Sequence, residues 1–223
     1  MSSKLFISAI IKFIFGILLV GVLLFLPAGT FNYIYAWVFI GVLFIPMFIF
    51  GIILMFKNPK LLESRLNAKE KENTQKLVVL LSGIMFISGF VIAGLNYKYK
   101  IIILPDIVVI ISSIIFLIFY ILYAEVLREN TYLSRTIEVK NNQKVIDTGL
   151  YGVVRHPMYL VTIFLFLTIP LILNSLISFI IFLFYPIIII ERINNEEIVL
   201  EKELEGYTEY KKKVKYRLIP YIW

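Results

Sequence analysis

A series of long apolar runs constrains this chain more than anything else in it. They lie at roughly 5–26, 33–56, 77–95, 103–127, 157–173 and 175–190. A helix rising 1.5 Å per residue needs about 20 apolar residues to cross ~30 Å of hydrocarbon. Most of the runs approach that length, while the last two are shorter and are separated only by Asn174-Ser175. The pattern predicts an all-α polytopic membrane protein of about six transmembrane helices, ending in a C-terminal helical hairpin over 157–190. Composition agrees: of 223 residues, 60% are hydrophobic and 17% charged, where soluble domains carry about 25% charged. The first run exceeds the ~7–15 residues of a signal-peptide core and contains Lys12, so it is expected to be retained as a span.

The charges between the runs set an expected orientation. Lys and Arg number six in the 57–76 loop, five in 128–156 and seven from 191 onward. The connections at 27–32 and around 174 have none, and 96–102 has only Lys98 and Lys100. The positive-inside rule then places both termini and both long loops in the cytoplasm, which an even number of spans permits. The formal charge of +7 follows from the same distribution. Basic residues stand where anionic headgroups of membrane lipids would meet them, so no nucleic-acid partner need be invoked. The absence of cysteine excludes disulfides, thiolate catalysis and Cys-ligated metals, and a single histidine gives no support for a metal site.

Two regions follow. Residues 1–127 carry four spans and the loop 57–76, whose Leu61, Leu62 and Leu66 are compatible with a short amphipathic surface helix. Residues 128–223 carry the candidate chemistry. Asn141-Asn142 is a turn signal, and Gly149 and Gly152 loosen the backbone before the hairpin. Pro105 and Pro157 mark helix starts, whereas Pro46 and Pro186 fall inside runs and are expected to kink them. Beyond the last run, Ile193, Leu200, Leu204, Tyr207 and Val214 form one helical stripe that Gly206 is expected to interrupt.

Polar clusters stand at both feet of the hairpin. Arg155, His156 and Pro157 precede it, within GLYGVVRHPMYL. Glu191, Arg192, Glu196 and Glu197 follow it. On a helix Arg192 and Glu196 share a face, and Glu197 lies ~100° away toward a neighbouring element. These charges could simply anchor the spans. A charge at a membrane edge is costly, however, and often functional. Glycines at 149 and 152 could admit a ligand close to the backbone, with His156 offering a hydrogen bond and Tyr151 or Tyr159 an aromatic face.

The segments QKVIDTGLYGVVRHPMYL and ERINNEEIVLEKELEGYTEYKKKVKYRLIP, across about residues 136–220, resemble the isoprenylcysteine carboxyl methyltransferase family. That family lies within a wider group of integral-membrane methyltransferases that includes phospholipid N-methyltransferases. PAGTFNYIYAW and NPKLLESRLNAKEKENTQK also look like bacterial members. The resemblance implies S-adenosyl-L-methionine as methyl donor, bound at the cytoplasmic face of a bacterial or archaeal cell membrane. It assigns donor contacts to a strand-like stretch, Gln143, Lys144, Val145 and Ile146, and to the Gly149 turn with Tyr151, His156, Glu196 and Glu197. Arg192 and Glu196 take the catalytic positions, with no metal. Residues 128–223 would then be the methyltransferase core. Leu150, Val161 and Glu205 depart from the family's pattern and bear on the substrate more than on the donor.

The acceptor implied is lipid-like, with a prenylated cysteine carboxylate the best-known case. A phospholipid, or another lipid amine or thiol, is the alternative. A non-catalytic membrane scaffold or transport component would use the same fold without turnover. A sterol-reductase-like chain would call for a nicotinamide cofactor and more spans. The sequence leaves the acceptor and the oligomeric state open.

Overall fold

A computed structural model describes residues 3–66, 73–134, 136–140 and 142–223. Its helices are α1 (Ser3–Ala28), α2 (Ile34–Lys57), α3 (Pro59–Leu66), α4 (Asn73–Tyr99) and α5 (Asp106–Glu129). After a long connection come α6 (Pro157–Ile172), α7 (Leu176–Phe182), α8 (Tyr185–Glu203) and α9 (Tyr207–Lys213). No strand forms among the described residues. The stretch Gln143–Ile146, expected to be strand-like, lies outside any helix or strand.

Among the described residues, five segments are long and apolar enough to cross a membrane: Lys4–Ala28, Ile34–Lys57, Gln75–Tyr99, Asp106–Glu129 and Leu176–Glu203. Their outer faces carry exposed side chains such as Phe15, Leu18, Ile49, Leu80 and Ile121. In water such a belt would drive aggregation; in a bilayer it is the lipid contact. The expected fifth span is α6, which has 16 residues. It is about 24 Å long, short of the hydrocarbon thickness.

The last apolar run also differs from a simple kinked span. Turn residues Leu183 and Phe184 separate α7 from α8, and Pro186 sits in the first turn of α8. Proline has no N–H to bond the carbonyl four residues earlier, and its ring crowds that carbonyl. The helix therefore stops and restarts, so Pro186 opens a helix instead of bending one. Pro105 and Pro157 stand at helix starts as expected. The stripe is interrupted as expected: α8 ends at Glu203, and Gly206, with a left-handed φ of +83° that favours glycine, stands at the start of α9.

Hydrogen bonds fix the turn at Asn174-Ser175. Asn174 takes φ +55°; its Oδ1 accepts from Leu104 N at 2.6 Å, and its Nδ2 donates to Leu104 O at 2.9 Å. Asn96 Nδ2 donates to Asn174 O, and Tyr33 Oη donates to Leu173 O at 2.6 Å. Close helix approach needs small residues, as in other membrane bundles. A Cβ on Gly94 of α4 would lie 2.6 Å from Leu24 O of α1, and one on Gly89 would lie 2.3 Å from the Phe182 ring of α7. The main core is continuous from Leu24 to Leu218 and draws on both halves of the chain.

Of the 57–76 loop, residues 67–72 lie outside the described region. Before them α3 is helical, and Leu61 and Leu62 are its buried side. Asn58 Oδ1 caps it by accepting from Leu61 N.

Candidate active site

The four-residue spacing of Arg192 and Glu196 puts both on one face of α8, and α6 supplies the group that joins them. Arg192 Nε donates to Tyr159 Oη at 2.9 Å, and Tyr159 Oη donates to Glu196 Oε2 at 2.5 Å. The Arg192 guanidinium also lies 5.9 Å from the centre of the Tyr159 ring. Hydrogen bonds with a charged partner are shorter and stronger than neutral ones. Tyr159 thus holds an arginine and a carboxylate in fixed register.

Glu197, one residue on, faces a different set of partners and is 2% exposed. Its Oε1 accepts from Arg155 Nε at 2.7 Å and lies 3.2 Å from His156 Nε2. Its Oε2 accepts from Arg217 Nε at 2.9 Å and lies 2.8 Å from Nη2. Burying a carboxylate is costly unless charge and hydrogen bonds compensate; here two guanidinium groups and an imidazole do so.

The same cluster ties down the tail. Arg155 N donates to Tyr216 O and His156 N to Arg217 O, each at 2.9 Å. Arg155 Nη1 donates to the carbonyls of Val214 and Lys215. The charged sequence before the hairpin is therefore the anchor for the segment that follows α9.

The connection from α5 to α6 is built by short-range polar contacts. Asn142 has φ +59°, and Gln143 Oε1 accepts from Lys140 N at 2.9 Å to close the turn. Gly149 has φ +51°, and a Cβ there would lie 2.1 Å from the Glu129 carboxylate. That carboxylate accepts from Thr148 Oγ1 and Leu150 N. Gly152 similarly packs on Asp147 O. The close approach these glycines permit is thus to the protein's own α5 end and loop.

One cavity of about 1010 Å³ passes through this region. Its charged end is lined by Arg192, Glu196, His156, Tyr159 and Tyr151, together with Gln143, Lys144, Val145 and Ile146. Its apolar end runs between the spans past Phe13, Met47, Gly51, Gly83 and Phe86. Of the sequence-predicted donor contacts, Gly149 and Glu197 do not line it. Gly149 is against Glu129, and Glu197 is enclosed by Arg155, His156 and Arg217. Sequence reading left Tyr159 only as an aromatic face, although its spacing of three from His156 on a helix signalled a shared side. Glu129 and Arg217 had no local signal for these roles, because Thr148, Leu150 and Glu197, which they bond here, are 19 or more positions away in sequence.

Fold and site together define an integral membrane protein in which a charged site opens into an apolar cavity between the spans. Residues 108–202 match the model of the Isoprenylcysteine carboxyl methyltransferase (ICMT) family, as the motifs led one to expect. The match is less than half of the chain; it takes in α6, α7 and most of α5 and α8, and stops before α9. Over 91 residues the chain is 31% identical to the Delta(14)-sterol reductase of Mus musculus, covering 40% of this chain and 22% of that protein. The chain thus spans about a fifth of the length of this curated relative.

Proposed function

We propose that the protein is an S-adenosylmethionine-dependent methyltransferase acting on a lipid-like acceptor, with carboxyl O-methylation of an isoprenylcysteine-type molecule as the leading reaction. One observation carries this reading: a single cavity joins the Arg192–Tyr159–Glu196 set to a greasy channel between the spans. A polar donor and an acceptor with an apolar chain can meet there without either crossing the wrong solvent. The volume is at the upper end of the ~300–1,000 Å³ common for ligand sites, enough for two ligands side by side.

The residues present fit such a donor. Glu196 presents a carboxylate to a cationic ligand, and His156 and the 143–146 stretch form further walls. Tyr151 and Asn130 add polar side chains to the cavity's lining. When bound, the donor supplies a methyl group on a sulfonium. The protein's task is then alignment and charge placement. Arg192, steadied through Nε by Tyr159, orients an anionic acceptor, a task suited to a guanidinium's planar fork. Glu197 serves indirectly, by fixing His156 and the tail. A carboxylate acceptor is already ionised and needs no base; an amine or thiol would need to lose a proton, which Glu196 could accept. In this reading the charged end and both termini face the cytoplasm.

The test is binding followed by turnover. Purified protein in detergent should bind S-adenosylhomocysteine by calorimetry, and labelled methyl groups should pass to one of a panel of prenylcysteine, phospholipid-amine and hydrophobic thiol acceptors. Arg192→Ala should lower turnover by ~10²-fold or more with donor affinity intact. Folded protein that binds no donor would end the enzyme reading. Donor binding without transfer to any acceptor would favour a non-catalytic role.

A further inference from the structure

Beyond the residues that the motifs point to, the cavity has a wall made by α9, and that wall carries an unexplained polar group. Tyr207 is 3% exposed and lines the cavity. Its Oη has no hydrogen-bond partner among the described residues. Its neighbour Tyr210 is fully used by contrast, donating through Oη to Tyr151 O at 2.7 Å. Tyr207 and Tyr210 belong to a small apolar cluster, separate from the main core, that joins α9 to Val139 and Val145 of the connection between α5 and α6. The ring of Tyr207 is therefore needed for packing, but nothing in the protein's own packing calls for its hydroxyl. Phenylalanine would fill the same space without the cost of an unpaired buried hydroxyl.

The surroundings narrow what the hydroxyl meets. Burial first, and then the Glu197 and Glu196 carboxylates, push the Tyr207 phenol up, so it is a neutral group that can both donate and accept. Glu197 is already satisfied by Arg155, His156 and Arg217. Glu196 lines the cavity as Tyr207 does. A carboxylate and a neutral phenol facing one space are together matched by a ligand group carrying more than one hydrogen: an ammonium or a vicinal diol.

We propose that Tyr207 is a donor-binding residue, whose hydroxyl hydrogen-bonds the ammonium or ribose diol of the methyl donor alongside Glu196. The assignment rests on the methyltransferase reading above. It makes the tail a part of the site: Gly206 turns the chain, α9 presents Tyr207, and the bonds from Arg155 and His156 to the carbonyls of residues 214–217 hold the following segment in place.

The experiment uses full-length protein in detergent and compares wild type with Tyr207→Phe. Calorimetry with S-adenosylhomocysteine should show roughly tenfold weaker binding in the variant, the loss expected for one hydrogen bond to a buried polar ligand. The ligand-free variant should melt at the same temperature as wild type or higher, since no intramolecular bond is removed. A variant that melts lower, with donor affinity unchanged, would show that the hydroxyl is structural and overturn the proposal. Unchanged affinity at unchanged melting temperature would also overturn it, while leaving the methyltransferase reading standing. Failure of wild type itself to bind overturns both. A second arm uses 5′-methylthioadenosine, which keeps the diol and lacks the ammonium. An equal loss for both ligands assigns the hydroxyl to the diol, and a loss for S-adenosylhomocysteine alone assigns it to the ammonium.

Discussion

Adjacent glutamates on α8 have different partners because one residue of helix turns a side chain by ~100°. Glu196 lines the cavity, bonded to Tyr159, while Glu197 is the shared anion of a buried cluster. Substituting each should therefore give different phenotypes. Glu197→Gln leaves Arg155 and Arg217 without their common counter-charge, and removing one partner of a buried ion pair costs about 3–5 kcal/mol. Thermal unfolding in detergent should show that loss directly. The nearby Lys211–Glu201 pair is well exposed, so Glu201→Gln should leave the melting temperature nearly unchanged. The Arg192–Glu196 pairing was legible in sequence, because i,i+4 spacing is a local property of a helix. The partners of Glu197 were not, because Arg155 and Arg217 reach it only through tertiary packing.

Elements in this fold are defined as much by where they may not continue as by hydrophobicity. The final apolar run reads as one span, yet Pro186 forces a restart and yields α7 and α8. Short α7 is held by close packing on α4, where Gly89 accommodates the Phe182 ring and Ser178 Oγ donates to Gly89 O at 2.8 Å. Gly89→Ala should be destabilising by ~1–3 kcal/mol through overpacking, measured as a lower denaturation midpoint. Pairing it with Phe182→Leu should recover part of the loss, because the clash is with the far end of that ring. Gly94→Ala should have no comparable side-chain rescue, since its obstacle is the Leu24 backbone carbonyl. Helix starts at Pro105 and Pro157 and the interruption around Gly206 were readable from residue type alone. The roles of Gly89 and Gly94 were not, since a glycine in an apolar run does not state which neighbour approaches it.

For the whole molecule, the apolar end of the cavity gives a separable test. A Cβ on Gly83 meets nothing within 4 Å, so Gly83→Leu should fold normally while filling space that a long acceptor chain would use. Its KM for a long-chain acceptor should rise several-fold, with S-adenosylhomocysteine affinity unchanged in calorimetry. Orientation can be read with single cysteines, which report cleanly in a chain that has none. In intact cells an impermeant maleimide should label Phe31→Cys and spare Glu205→Cys, the reverse of the outcome for a charged end facing outward. The membrane class, most of the spans, the charge asymmetry and the motif pair at the hairpin's feet were determined by sequence alone, since each depends on composition or on spacing within one helix. Only the tertiary structure decided that Gly149 meets Glu129, that Glu197 anchors the tail and that Tyr207 faces the cavity. Those facts depend on which distant segments share a low-dielectric interior, where an unpaired charge or hydroxyl is expensive, and local sequence does not carry that information.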